Sequence, residues 1–285
     1  MRFWKKLGHA LLGLAPLPLS ILIQFLLMIP VCGILFAYCF MFHPNLYGTE
    51  LYDMLYELFE STAFNTAFLS ICAAFIILYF GCWYFNAFEG FSLKPVRLKK
   101  IFSPLMILGI FVLALGLQYT VSYIVSFTAA INPDWLIAFE ELEDSAGIND
   151  MTPLLVLYSV ILGPINEELL FRGVSLSHLH KAMSFWLANI IQAALFGIFH
   201  MNMLQGIYAF VLGLFLGYLC KISNSIFPSM LLHIIYNFLA CFSTDILFYG
   251  DNIILVCFRL ILAVLLPIAG IYLCLSGEKK DLSAA

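Results

Sequence analysis

The chain has 285 residues, of which 63% are hydrophobic and 11% are charged, and its mean hydropathy is +1.01. Soluble proteins carry about 25% charged residues, so this composition excludes an ordinary soluble domain and indicates a membrane protein. The formal net charge of −4 is small, and the 13 Lys and Arg residues are dispersed into short clusters. Because they form no single basic face, nucleic acid is not an expected partner.

Apolar segments of spanning length recur along the whole chain. A helix needs about 20 apolar residues to cross the ~30 Å hydrocarbon core of a bilayer. Eight segments meet that requirement, near residues 17–43, 63–88, 102–131, 152–179, 182–203, 205–222, 226–245 and 252–276. The sequence therefore predicts an all-α, polytopic membrane protein, with a bundle of about eight transmembrane helices in a single integral-membrane domain over residues 1–285.

Basic residues are concentrated in every second connection between these segments. They precede the first segment or follow the second, fourth, sixth and eighth, at Arg2, Lys5, Lys6, Lys94, Arg97, Lys99, Lys100, Lys181, Lys221, Lys279 and Lys280. The connections after the first, third and seventh segments carry acidic residues and no Lys or Arg. Because Lys and Arg are enriched in cytoplasmic loops, both termini are predicted to be cytoplasmic.

The connection from Asn132 to Met151 is the longest polar stretch, and it contains six acidic residues. We interpret it as a solvated linker. The alternative is a lid or a substrate-contacting element that lies over the bundle, since loops often carry functional residues.

The fourth segment contains the charged residues Glu167, Glu168 and Arg172. A charge at bilayer depth costs about 2.5–3.5 kcal/mol on insertion scales, so such groups usually face the bundle interior and mark a site. Residues four apart share a helix face, so Glu168 and Arg172 are predicted to form a structural ion pair, whereas Glu167 points about 100° away and stays available as a base or a metal ligand. Pro164 is expected to kink the helix and to free backbone carbonyls nearby. The alternative is a purely structural buried ionic cluster.

Two further segments carry polar side chains at helical spacing. Phe196 and His200 lie four residues apart in the fifth segment, and His233 and Asn237 lie four apart in the seventh. If the fourth and fifth segments pack antiparallel, Glu167 and His200 lie at matched depth. A neighbouring helix could bring His233 and Asn237 to the same cavity; the alternative for these two is a polar contact that only holds membrane helices together.

One glutamate, two histidines and one asparagine on three helices suit peptide hydrolysis. A carboxylate accepts a proton from water, a histidine orients that water or donates to the leaving amine, and His or Asn stabilises a developing oxyanion. Glu167, His200 and His233 could equally be three ligands of a catalytic zinc ion with an open fourth position. The spacing does not decide between the two, although the chain contains no HExxH motif.

The three motifs Glu167-Glu168-xxx-Arg172, Phe196-xxx-His200 and His233-xxx-Asn237 resemble, in this order, those of the CPBP intramembrane proteases. That family includes the type II CAAX prenyl proteases and the bacteriocin-processing or self-immunity proteins of the Abi group. The motif-bearing core covers residues 152–245. The resemblance implies an intramembrane endopeptidase in which Glu167 and His200 activate water while His233 and Asn237 assist at the oxyanion, with zinc or without a metal.

The substrate implied by the resemblance is a membrane-associated protein or peptide, lipidated or not, that is cleaved at the lipid bilayer. The second hypothesis is a non-enzymatic membrane transporter or bacteriocin self-immunity protein, in which the Glu/His cluster relays protons or binds a substrate. Arg172, His178 and His180 suggest that the hairpin between the fourth and fifth segments projects into the cytoplasm, so access to the site is expected from that side.

Overall fold

The computed structural model describes residues 2–45, 47–89, 101–148, 151–248, 250 and 252–283, and the regular structure in these residues is entirely helical. The basic cluster formed by Lys94, Arg97, Lys99 and Lys100 lies outside the described residues. In chain order the helices are α1 (Arg2–Leu14), α2 (Pro16–Phe42), α3 (Thr49–Glu60), α4 (Thr62–Tyr84), α5 (Pro104–Ile131), α6 (Pro133–Ser145), α7 (Pro153–Ala182), α8 (Phe185–Phe199), α9 (Met203–Ser223), α10 (Phe227–Phe242), α11 (Thr244–Leu247) and α12 (Ile253–Ser283).

Six of these helices, α2, α4, α5, α7, α9 and α12, are long and apolar enough to cross a membrane. The prediction of an all-α, multi-pass membrane protein is therefore confirmed. The expectation of full-length spans at 182–203 and 226–245 needs correction, because α8 has 15 residues and α10 has 16. At ~1.5 Å per residue they are about 22–24 Å long, shorter than the ~30 Å core. The predicted segments were longer because they included residues that turn the chain beyond the helix ends, such as Met183, Met201 and Ser243.

α7 lies inside the bundle. All nine residues from Glu168 to Leu176 are buried, which is the pattern of a helix that is covered on every side. α4, α8, α9 and α10 pack around α7. By contrast, only 6% of the most apolar stretch of α2 is buried, so α2 is the lipid-facing helix at the N-terminal edge of the bundle.

Amide side chains clamp α8 to α9. Gln192 Nε2 donates to the Gly213 carbonyl at 2.9 Å, and Asn189 Nδ2 donates to the Leu214 carbonyl at 3.0 Å. Gly197 and Gly206 face each other near the turn, where a Cβ on Gly206 would lie 3.0 Å from the Gly197 oxygen. Small residues and interhelical hydrogen bonds of this kind are what associate helices in lipid, where the hydrophobic effect supplies no driving force between them.

The acidic connection after α5 is helical where a linker was expected. Asn132 Oδ1 accepts from the Asp134 amide at 3.1 Å, and Pro133 occupies the first turn, so α6 begins with a capped N-terminus. α6 packs against the start of α9: the rings of Phe139 and Tyr208 are 6.1 Å apart, edge to face. The Asn–Pro signal was present in the sequence, but the acidic composition outweighed it in the prediction.

The close approach of α5 and α12 gives a test of the fold. A Cβ on Gly116 would lie 2.5 Å from Pro267 Cδ and 2.7 Å from Pro267 N, so Gly116→Ala must push the helices apart. We expect it to lower the free energy of unfolding by about 1–3 kcal/mol, measured by thermal unfolding in detergent. The matched control is Gly33→Ala on α2, where a Cβ meets nothing within 4 Å and helix propensity favours Ala by up to about 1 kcal/mol. Equal stability of the two variants would contradict this packing.

Candidate active site

α7 changes its hydrogen-bond pattern on both sides of the first motif. Residues Tyr158–Leu162 and Glu168–Leu176 are π-helical, and the α-helical turn Gly163–Glu167 separates them. Short π segments inside α-helices occur frequently at functional sites. Glu167 and Glu168 therefore lie at the junction between two helical geometries, where adjacent side chains diverge into different surroundings.

Pro164 explains how α10 is attached at this point. In the π pattern the amide of residue i donates to the carbonyl of residue i−5, as the Gly163 amide does to Tyr158. In the same pattern the amide of residue 164 would donate to the Ser159 carbonyl, but Pro164 has no N–H. The Ser159 carbonyl accepts instead from Asn237 Nδ2 at 2.8 Å. The expected release of a carbonyl by Pro164 is thus the reason why an α10 side chain docks here.

Glu168 is the charged centre of the cluster. Its Oε1 accepts from Arg172 Nη1 at 2.9 Å and from His233 Nδ1 at 3.0 Å. The side chains of Glu168 and Arg172 are both 0% exposed and that of His233 is 3% exposed. Because Glu168 is an acceptor, the proton on His233 is assigned to Nδ1, and Nε2 faces the other carboxylate. Glu168 therefore joins α7 to α10 and selects the orientation of the His233 ring.

Glu167 occupies a different environment from its neighbour. Its side chain is 16% exposed, and its Oε2 lies 3.5 Å from His233 Nε2. Tyr158 and Tyr208 lie near this carboxylate. Arg172 pairs with Glu168 and not with Glu167, so the Glu167 carboxylate stays on the accessible side of the cluster. Of the two adjacent glutamates, Glu167 is the one positioned to accept a proton.

His200 lies at the C-terminal end of α8 and not within a continuous span as expected. Its Nδ1 is 2.8 Å from the Phe196 carbonyl, which makes Nδ1 the donor and leaves the Nε2 lone pair for a ligand or a water molecule. Met201 follows with a φ of 54°, and Asn202 Oδ1 accepts from the Gln205 amide to begin α9. A left-handed residue is uncommon outside glycine, and here it reverses the chain directly after His200.

Phe196 connects the two histidines. Its ring meets His200 edge to face at 4.9 Å and His233 at 5.8 Å, and Arg172 Cζ lies 4.3 Å from its centroid. Phe171 of α7 contacts Phe196 at 5.3 Å. Since α7 and α8 run antiparallel, the helical turn before Phe171 faces the turn after Phe196, which brings Glu167 to the level of His200.

The structure thus brings together Glu167, Glu168, Arg172 and His233 in direct contact, and joins His200 to them through the ring of Phe196. Asn237 lies one turn beyond His233 and points to the Ser159 carbonyl. The sequence did not predict the bridge from His233 to both glutamates, nor that Tyr158 and Tyr208 lie near the site. Tyrosines are common in apolar helices, so their presence gave no signal. The only usable signal was Pro164, which leaves the Ser159 carbonyl without its helical donor.

Two of the three side chains predicted as zinc ligands make other contacts. His233 has one ring nitrogen on each carboxylate, and His200 Nδ1 is held by a backbone carbonyl. Among the described residues, no three His, Cys, Asp or Glu side chains converge so that they could hold a metal ion. As arranged, Glu167, His200 and His233 do not form the three-ligand set that a catalytic zinc requires. Zinc stays a prediction for metal analysis.

The fold and the cluster define a class: a polytopic helical membrane protein with a carboxylate–imidazole site inside the bundle. Residues 149–239 match the family model described as "Type II CAAX prenyl endopeptidase Rce1-like". This match confirms the resemblance to the CPBP intramembrane proteases for the motif-bearing part of the chain, and it includes every site residue discussed above.

A curated relative is similar over part of its length. A protein of Bacillus subtilis (strain 168) described as "Putative membrane peptidase YdiL" is 28% identical over 100 residues, which are 34% of this chain and 41% of that protein. The chain therefore matches less than half of the length of this relative. No solved structure matches the chain.

The two adjacent glutamates should differ sharply in their effect on stability. Glu168→Gln leaves the buried Arg172 guanidinium without its counter-charge, so we expect a loss of about 3–5 kcal/mol in the free energy of unfolding. Glu167→Gln is the matched control, and it should change that free energy by no more than about 1 kcal/mol because this side chain is partly exposed. Chemical denaturation in detergent measures both. The assignment fails if Glu167→Gln is the more damaging of the two.

Proposed function

We propose that this chain is an intramembrane endopeptidase of the CAAX-protease-like class, acting on a membrane-associated protein or peptide. The observation that carries the proposal is the unequal pair of adjacent glutamates. Glu168 is neutralised by Arg172 and His233, whereas Glu167 is partly exposed beside His233 Nε2. The match of residues 149–239 to the Rce1-like endopeptidases supports the same class. A buried cluster with only a structural role has no need of the second carboxylate.

In the proposed reaction Glu167 is the general base. Glu167 removes a proton from a water molecule whose other hydrogen is donated to His200 Nε2, and the resulting hydroxide attacks the carbonyl carbon of the scissile peptide bond. The carbonyl electron pair moves to oxygen. When the tetrahedral intermediate collapses, the C–N bond breaks, and the proton on Glu167 passes to the leaving amine. The products are a carboxylic acid and an amine, and Glu167 is again a carboxylate.

Asn237 and His233 are the proposed oxyanion donors. An asparagine amide carries two N–H groups, and the Ser159 carbonyl uses only one of those on Asn237, so the second can face substrate. His233 Nε2 can donate to the oxyanion when both ring nitrogens carry a proton, and it lies beside Glu167 at the accessible side of the cluster. Donors preorganised in this way are usually the largest single contribution to acyl-transfer catalysis.

Water and substrate are proposed to enter from the end of the bundle that α6 covers. Tyr208 lies near Glu167 and near Glu143 of α6, and Phe139 of α6 packs on the same ring. Burial against α9 raises the pKa of Glu143, and the neighbouring charges of Asp144 and Glu140 raise it further. This end is opposite to the one expected from the sequence. The short α8 ends at His200 and so leaves room for solvent near the site.

The reaction should depend on Glu167. Wild type and Glu167→Gln are compared in liposomes by the rate at which each cleaves a reporter peptide. The variant should cleave about 10²–10⁴-fold more slowly, because general base catalysis contributes that much. The matched control is Glu57→Gln on α3, an exposed carboxylate outside the site, which should retain the wild-type rate. If Glu167→Gln cleaves as fast as wild type, the peptidase assignment is rejected and proton relay or binding becomes the better hypothesis.

Metal analysis of the purified protein separates the two forms of the mechanism. A mechanism that uses Glu167 and His200 without metal predicts substoichiometric zinc in wild type and full activity after dialysis against a chelator. His200→Ala should then lower the cleavage rate without any change in metal content. One zinc per chain in wild type, lost in His200→Ala together with activity, would establish the metallopeptidase form instead.

A further inference from the structure

A second polar cavity lies at the end of the bundle opposite α6. Its volume is about 390 Å³, and it is enclosed where α7 and α9 end and α8 and α10 begin. The apolar walls include Leu176, Phe185 and Ile226. We call it the basic pocket, after the four basic side chains that line it, Arg172, His180, Lys181 and Lys221.

The charged side chains among the described residues that line the basic pocket are all basic. His180, Lys181 and Lys221 are exposed at its mouth, and no Asp or Glu is among the described residues that line it. Lys221 Nζ is held 4.5 Å from the Phe185 ring centroid and 4.9 Å from that of Trp186, so its position is defined. Positive charges around a concave, partly apolar cavity focus the field and attract an anion.

Arg172 adds donors deep in the basic pocket. Its side chain is 0% exposed, and Nη1 is occupied by Glu168. Nε and Nη2 make no hydrogen bond to any described residue. Leaving a buried donor unsatisfied costs about 1–3 kcal/mol, and more when the group is charged. Unmatched guanidinium donors beside a cavity therefore indicate an oxyanion as its occupant, since carboxylate and phosphate fit that planar fork.

The position of each lysine on its own helix has a simpler explanation. Lys181 and Lys221 lie in the last turns of α7 and α9, where a cation stabilises the helix dipole. That explanation does not require both lysines and the unmatched donors of Arg172 to surround one cavity. It also leaves the cost of the buried Nε and Nη2 unexplained. The convergence of these groups distinguishes a binding site from two independent helix ends.

The surroundings of the basic pocket place it at a membrane surface. α1 packs on the C-terminal end of α7, where His9 Nδ1 lies 3.0 Å from His178 Nδ1. Phe3 and Trp4 of α1 are 68% and 71% exposed, next to Lys5 and Lys6 in sequence. A helix with exposed aromatic and basic residues of this kind lies in the lipid interface. Basic pockets between membrane helices at such a surface bind anionic head groups.

We propose that the basic pocket binds a phosphate group, as a phospholipid head group or as free phosphate. Lys181 and Lys221 hold its charge at the mouth, and the buried Arg172 forms part of the inner wall. The site is separate from the face of the cluster that Glu167 presents, so it does not depend on the proposed peptidase activity. Through Arg172 a bound phosphate would nevertheless steady the Glu168–His233 pair.

The test measures thermal unfolding of the full chain in micelles of a maltoside detergent, which contains no phosphate, titrated with phosphatidylglycerol. We expect a saturable rise in the melting temperature for wild type. The double variant Lys181→Gln/Lys221→Gln should need at least about 10-fold more phosphatidylglycerol for the same rise, which corresponds to the loss of about 1.4 kcal/mol in binding. The matched control is Lys6→Gln, which removes one exposed charge from α1 at the same end, and it should titrate like wild type.

Inorganic phosphate in neutral micelles distinguishes the sources. A rise with phosphate alone, abolished in the double variant, supports the basic pocket with free phosphate as its ligand; a rise only with phosphatidylglycerol supports the head group. The proposal is overturned if Lys6→Gln weakens the response as much as the double variant, because diffuse surface charge then accounts for it. It is also overturned if neither ligand stabilises wild type.

Discussion

The structure depends on one buried carboxylate that is shared between two cations or potential cations. Glu168 Oε1 accepts hydrogen bonds from Arg172 Nη1 at 2.9 Å and from His233 Nδ1 at 3.0 Å. All three side chains are almost completely buried. Removing charges from water is so costly that each must be paired. The helices that carry them are therefore held at one depth and in one rotation, and α7 and α10 cannot slide past each other without separating the charges.

The two adjacent glutamates differ because of that pairing. Glu168 pairs with Arg172 and accepts the Nδ1 proton of His233, so Glu167 contacts His233 Nε2 and lies on the accessible side of the cluster. Phe196 extends the arrangement to α8, since one ring touches both imidazoles and lies against the guanidinium. A structural ion pair and a candidate base thus come from adjacent positions, and the π-helical junction in α7 separates their surroundings.

Arg172 links the two ends of the bundle. Its Nη1 donates to Glu168, and the same residue forms part of the wall of the basic pocket. The accessible side of the cluster lies toward Tyr208 and α6. A single buried side chain therefore borders both the candidate active site and a candidate anion site. A ligand in the basic pocket would act on the same guanidinium that holds Glu168 in place, which gives a physical route by which the membrane surface could influence the site.

The sequence by itself determined that the chain is a helical membrane protein, because this depends only on hydropathy. Helical spacing was enough to place Glu168 and Arg172 on one face and Glu167 on another, because this depends only on the period of about 3.6 residues. Only the tertiary structure decided that His233 bridges both glutamates, that α8 stops at His200, and that the Ser159 carbonyl is taken by Asn237. These features depend on contacts between helices distant in sequence and on a turn at Met201 whose apolar residues look like more helix. Hydropathy reports which residues avoid water, but the direction in which each side chain points is set by the neighbours that cover it.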